Sequence, residues 1–196
     1  DVKIEQQTQW GIEQAIDTYG VKNWGNGYFD INDKGDVVIN NPKDPSSVGL
    51  SLMDVIQGLR DRDLHMPALL RIENIIDHSI SNLNETFKNI IERLGYQGAY
   101  RGVFPIKVNQ QAQIVEEVAR FGASYDYGFE VGSKPEMIAA LSTLDSNSEQ
   151  MLMCNGYKDQ EFIDLAVQAV KLGTRCFVVI EALAELPIII ERSKAL

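Results

Sequence analysis

The chain has 196 residues, 44% of them hydrophobic and 23% charged, with a formal net charge of −10. That composition is ordinary for a folded globular protein and argues against disorder as the whole account of the chain. The acidic excess, with no run or stripe of Lys and Arg, argues against a nucleic-acid partner, and no apolar run approaches the roughly 18 residues a membrane-spanning helix needs.

Asp1 to Gln9 is polar and acidic, without the pattern of a signal peptide. A helix is expected from Gln6 to Tyr19, with Ile12, Ala15, Ile16 and Tyr19 on one face. A hairpin follows: Tyr28, Phe29 and Ile31 lead into Asn32-Asp33-Lys34-Gly35, and Val37 to Ile39 return. Residues 40–47, rich in Asn, Pro and Ser, read as a loop. Ser51 is placed as the N-cap of a helix bearing Leu52, Val55, Ile56 and Leu59.

The chain changes character near Pro67. Ala68 to Ile72 is expected to form a short apolar strand, followed by a long helix from Ile75 to Leu94 that Gly95 closes. Four strand-then-helix units come next. The strands are expected at Tyr100–Ile106, Tyr125–Val131, Gln150–Cys154 and Arg175–Ile180. The helices are expected at Gln111–Phe121, Lys134–Leu144, Asp159–Leu172 and Ala182–Leu196. The spacing of about 25 residues is that of one βα unit in a (β/α)8 barrel, yet eight such units need roughly 200 to 250 residues. Two architectures remain open: an open, doubly wound sheet, or the first half of a barrel in a chain cut short. A last helix running to Leu196 without a C-cap glycine favours the second. Two domains are expected, residues 1–66 and residues 67–196.

Barrel chemistry gathers at the C-terminal ends of strands. After the first strand stands Lys107. As one of ten lysines it is readily explained as a solvated rim residue; as a partly desolvated amine it could attack an aldehyde and act as a Schiff-base lysine. Pro105 fits only at the strand's end, since it removes a ladder donor. In the second strand Glu130 lies among aromatic and apolar residues and should pair with a cation, with Lys107 on the adjacent strand as the natural candidate. Ser133, Pro135 and Glu136 together form a helix start, which accounts for the serine and the acid. Asn155-Gly156 reads as a turn with Asp159 as a cap, and Glu181 as an acid at the rim. Cys154, beside Met151 to Met153, reads as core.

Other motifs fail. Cys154, Cys176, His65 and His78 have no zinc spacing, and the cysteine usage fits a reduced, intracellular protein. Asn84-Glu85-Thr86 matches a glycosylation acceptor but lies in an expected helix. There is no phosphate loop, and Gly25-Asn26-Gly27 lacks the third glycine of a dinucleotide fingerprint. No nucleophile elbow, HExxH or EF-hand loop occurs.

Pro105-Ile106-Lys107-Val108-Asn109-Gln110 resembles the cofactor-lysine motif of the bacterial biosynthetic arginine decarboxylases, which belong to the alanine-racemase-like (fold type III) pyridoxal phosphate enzymes. Tyr19 to Asp30 is similar to that family's N-terminal hairpin region. Glu130 to Lys134, Asn155 to Asp159 and Val179 to Glu181 resemble its next barrel motifs. The resemblance implies a partial (β/α)8 barrel of TIM type and decarboxylation of L-arginine to agmatine and CO2, a polyamine step. Lys107 would carry pyridoxal phosphate, with Glu130 and Asn109 beside the cofactor. It further implies Mg2+, a homo-oligomer with sites between subunits, and a cytoplasmic enzyme with neither nucleic-acid nor membrane partner. A phosphate loop, a ring-stacking histidine and a partner to the pyridine nitrogen would lie downstream, so residues 1–196 alone are expected to be inactive. Three other readings stay open: a non-catalytic pyridoxal-phosphate-binding barrel, a decarboxylase of ornithine or diaminopimelate, and an α/β interaction domain in which Lys107 is only a rim residue.

Overall fold

The computed structural model describes residues 10–44, 46–145 and 148–195. The chain divides into two compact units, one ending at His78 and the other beginning at Ser79.

In the first unit, α1 (Ile12–Thr18) and α2 (Val21–Gly25) precede a three-stranded antiparallel sheet of β1 (Phe29–Ile31), β2 (Val37–Ile39) and β3 (Leu50–Ser51), in the order β1-β2-β3. The expected hairpin is present, with Phe29 opposite Ile39 and Ile31 opposite Val37. Asn32 shapes its turn by accepting the Lys34 and Asp36 N–H groups on Oδ1 at 3.0 and 2.9 Å. The expected start of the first helix at Gln6 lies outside the described residues. Ser51 caps α3 (Leu52–Arg60) as expected, accepting from the Met53 and Asp54 N–H groups. Residues 68–72 form no strand. They find no ladder partner among the described residues and are largely exposed, so apolar composition alone does not make a strand there.

Helix α4 (Glu73–Leu94) runs across the division between the units, and Gly95 follows it. The second unit then alternates: β4 (Val103–Pro105), α5 (Ala112–Gly122), β5 (Gly128–Val131), α6 (Lys134–Thr143), β6 (Met151–Cys154), α7 (Gln160–Lys171), β7 (Arg175–Val178) and α8 (Glu185–Ala195). All four strands are parallel and lie in sequential order, β4-β5-β6-β7. A doubly wound sheet reverses its order at a switch point. Unbroken sequential order is that of consecutive units of a (β/α)8 barrel, so the fold is a partial TIM-type barrel.

Period-two alternation gives the sheet two faces. Phe129, Val131, Leu152 and Cys154 share one face and are fully buried, among helix residues such as Ile114, Val118, Met137, Phe162 and Ile163. Removing each of these larger side chains from water contributes about 2 kcal/mol. The other face carries Glu130, Met153 and Phe177, level with one another across three strands. Gly128 starts β5 where a Cβ would fall 1.9 Å from the Met151 carbonyl oxygen, so only glycine lets β5 and β6 approach there.

The strands are shorter than their apolar runs. Tyr100 precedes β4, and Tyr125 belongs to a 3-10 turn (Ala123–Tyr125) that ends α5. Tyr100 instead stacks on Phe87 of α4, ring centroids 4.0 Å apart and planes 5° from parallel.

Candidate functional site

β4 stops at Pro105, one residue earlier than expected, and the chain enters a 3-10 turn, Ile106–Val108. Pro105 can donate no ladder bond and sits at φ −75°, compatible with a strand end. Ile106 is buried and anchors the turn, the Asn109 N–H closes it on the Ile106 carbonyl at 3.0 Å, and Lys107 and Val108 stand exposed. Lys107 is therefore on a turn at the C-terminal rim of the sheet. Asn109 Oδ1 accepts the Gln111 N–H at 3.1 Å, where α5 begins.

Glu130 is half-buried and opposes Pro105 in the β4–β5 register. The expected ion pair with Lys107 is absent; among the described residues neither side chain enters a salt bridge. The reason is positional: Glu130 is level with a residue two before Lys107, and the 3-10 turn carries the lysine off the strand line.

The rim loops are tied together by acids that their local sequence does not advertise. Ser133 caps α6 as expected, accepting the Glu136 N–H at 3.4 Å. Glu136 also reaches back, accepting the Gly132 N–H on Oε2 at 2.7 Å and the Gln110 side-chain amide on Oε1 at 3.5 Å. Glu181 Oε1 accepts the Gly156 N–H at 2.7 Å, and the Glu181 N–H donates to Glu185 Oε2 at 3.0 Å. Lys158, 2% exposed, donates to the Gly156 carbonyl and lies 3.3 Å from Glu185 Oε2. Burial raises the Glu185 carboxyl, but the Glu181 N–H and the Lys158 ammonium outweigh it and hold it below the usual carboxylate range.

Between these anchors Gly156 takes φ 77°, and a Cβ there would fall 2.9 Å from the Gly132 carbonyl oxygen. The loops after β5 and β6 thus approach main chain to main chain. Tyr157 is 86% exposed beside them. Asp159 caps α7 as expected, accepting the Phe162 N–H at 2.9 Å. It also pairs with Lys134 at 2.8 Å, which with Glu161 pushes the lysine up to about 12.

Sequence reasoning missed Lys158, Glu185 and the reach of Glu136. One signal was available: Gly132 with Glu136 and Glu181 with Glu185 repeat the same spacing of four at two helix starts. It also left Cys154 and Cys176 far apart, whereas adjacent strands bring their sulfurs to 3.4 Å. Contact with Cys176 and burial push the Cys154 thiol up, and the same contact holds Cys176 down. Cys154 is a fully buried core side chain, as expected. His78 Nδ1 is engaged by the Tyr28 hydroxyl at 2.8 Å. Among the described residues no group of three or more His, Cys, Asp and Glu side chains gathers to hold a metal, and no helix is long and apolar enough to cross a membrane.

Residues 80–194 match the family of the pyridoxal-dependent decarboxylases through its pyridoxal binding domain. A biosynthetic arginine decarboxylase from Gloeobacter violaceus is 43% identical over 187 residues, 95% of this chain and 29% of that protein. One from Thermosynechococcus vestitus is 42% identical over 193 residues, 98% of this chain and 30% of that protein. The crystal structure of the biosynthetic arginine decarboxylase from Campylobacter jejuni matches with a TM-score of 0.83 at 32% identity, covering 91% of this chain and 29% of its own. A diaminopimelate decarboxylase from M. jannaschi shares the fold, with a TM-score of 0.60 at 22% identity over 88% of this chain and 34% of its own. The chain spans about 30% of the length of the curated relatives it matches. On the match over residues 80–194, the chain belongs to the pyridoxal-dependent decarboxylase family.

Proposed function

We propose that this chain is the lysine-bearing part of a pyridoxal-phosphate-dependent decarboxylase that converts L-arginine to agmatine and CO2, with the cofactor carried on Lys107. The observation behind the choice of arginine is the degree and extent of the likeness, 43% and 42% identity to the arginine decarboxylase relatives against 22% to the diaminopimelate decarboxylase. The arginine decarboxylase relatives align over 95% and 98% of the chain, so their similarity includes the first unit, which the pyridoxal-binding match leaves out. A bare cofactor-binding barrel has no need of that unit.

The residues fit the cofactor. Lys107 offers an exposed amine, engaged in no ion pair among the described residues, at the rim where barrel enzymes do their chemistry. Gly132 and Gly156, which carry no side chain, follow the next two strands at the same rim. When bound, pyridoxal phosphate supplies an aldehyde that takes an amine and a pyridine ring that accepts the electron pair left by a departing carboxylate. Lys107 Nζ would bind it covalently and, once displaced by the substrate's amine, hold a proton for return to the product carbon. Glu130 and Asn109 are proposed beside the cofactor, Glu130 as the acid on the strand adjacent to β4, opposite Pro105, and Asn109 as the residue fixing the chain that follows the lysine.

The same reading includes Mg2+, to which no residue is assigned, assembly into a homo-oligomer, and a cytoplasmic location. It is tested on the intact protein by CO2 release from arginine, ornithine and diaminopimelate in parallel. Release from arginine alone supports the assignment. Release from one of the other two replaces it, and borohydride-stable pyridoxal label with no release identifies a non-catalytic carrier.

A further inference from the structure

A buried lysine paired with a buried glutamate costs desolvation that well-packed apolar side chains would avoid. Lys158 and Glu185 are therefore a feature whose presence needs a reason beyond holding the core together. Their contacts form a closed ring. The Gly156 N–H donates to Glu181, the Glu181 N–H donates to Glu185, Glu185 pairs with Lys158, and Lys158 donates to the Gly156 carbonyl. Both main-chain polar groups of one glycine are thus gripped by charged side chains from two βα units, and charge-assisted bonds are the stronger ones. The gripped glycine is the one that abuts Gly132, and Gly132 is itself held by Glu136, which reaches Gln110 at the loop after Lys107. Four rim loops are linked in this way. The helices have other anchors as well: Asp159 caps α7, and the Arg192–Asp164 pair ties α8 to α7.

We infer that Lys158, Glu185 and Glu181 are positioning residues that fix the Asn155–Tyr157 loop at the cofactor mouth, so that the rim is preformed when pyridoxal phosphate arrives. The inference rests on the cofactor assignment proposed above. The ring touches no reacting atom; it acts through Gly156 on Gly132 and on the exposed residues beside it. A preformed rim lowers the ordering cost of binding, and its loss should appear in cofactor affinity more than in the stability of the fold.

The test uses the intact protein and three variants: Glu181→Ala, at an exposed position, Lys158→Met, and the double Lys158→Met/Glu185→Leu, which removes both buried charges together. Hydrogen exchange of the peptide containing residues 155–157 is read without cofactor, and pyridoxal phosphate affinity is read by titration. Expected is exchange at least about tenfold faster in all three variants, with about tenfold weaker cofactor affinity, while the double variant keeps most of the wild-type stability. Lys158→Arg should restore part of the affinity. If the double variant recovers affinity along with stability, the pair is a structural strut and the inference fails. Unchanged exchange in a folded Glu181→Ala protein overturns it equally. If exchange responds but the wild-type protein takes up no pyridoxal phosphate, the cofactor assignment falls, and the ring's role at a cofactor mouth falls with it.

Discussion

The Lys158 ammonium and Glu185 Oε2 lie 3.3 Å apart, both side chains almost wholly out of solvent, and they join two different βα units of one parallel sheet. Breaking such a pair from one side leaves an uncompensated buried charge. Glu185→Leu alone is expected to destabilise the protein by about 3 kcal/mol, and adding Lys158→Met should return most of that loss. Chemical denaturation of the wild-type, single and double variants measures both steps. Additive losses would show that the two charges do not interact.

Gly156→Ala combines a left-handed backbone, φ 77°, with a Cβ 2.9 Å from the Gly132 carbonyl oxygen. The expected cost is about 1–3 kcal/mol, most of it strain that no rotamer relieves. Gly27→Ala, also at positive φ (78°) but with open space around the added methyl, should cost less. Equal losses at the two positions would remove the close approach as the cause.

Asp159 carries a pH prediction. Its hydrogen bond from Lys134 and then the Phe162 N–H hold the carboxyl below its usual range. The folded pKa is depressed, so the stabilisation is present above the unfolded value of about 3.9 and is lost as pH falls through the lower folded value. Asp159→Asn keeps a capping oxygen but removes the charge. The variant should melt below wild type at neutral pH, and the gap should close as pH drops below about 3.9. A gap constant across that range would mean the charge contributes nothing.

Cys154 and Cys176 should differ in reactivity. Contact with Cys176 and burial keep the Cys154 thiol protonated, and its sulfur lies 3.4 Å from that of Cys176, whose pKa is held down. Native alkylation followed by peptide mapping should modify Cys176 at least about tenfold faster. Faster labelling at Cys154 would contradict the burial that the packing gives it.

Local chemistry made much of this legible. The hairpin turn at Asn32 to Gly35 and the caps Ser51, Ser133 and Asp159 are short-range signals, because side chain and backbone partner lie within four residues. The rhythm of strands and helices gave the barrel units, and sequential strand order settled barrel against doubly wound sheet. Strand lengths were less visible. Tyr100 and Tyr125 have β-favouring side chains, yet one stacks on α4 and the other ends α5, so packing overrode propensity. Residues 68–72 failed for a related reason, lacking a partner strand among the described residues. The Lys158–Glu185 pair was invisible because its members are 27 positions apart and each resembles an ordinary loop lysine or first-turn acid. Glu130 was expected to meet Lys107 across the sheet; a single 3-10 turn after Pro105 was enough to separate them.

The central claim is that Lys107 carries pyridoxal phosphate. Lys107 is exposed and outside every ion pair among the described residues, so Lys107→Ala should change stability by no more than about 0.5 kcal/mol and serves as a clean control. The decisive measurement is borohydride reduction of the intact protein with pyridoxal phosphate, followed by mass-spectrometric peptide mapping. The account predicts one dominant phosphopyridoxyl adduct, at Lys107, absent from the folded Lys107→Ala protein. An adduct at another lysine, or none in the wild-type protein, would contradict it.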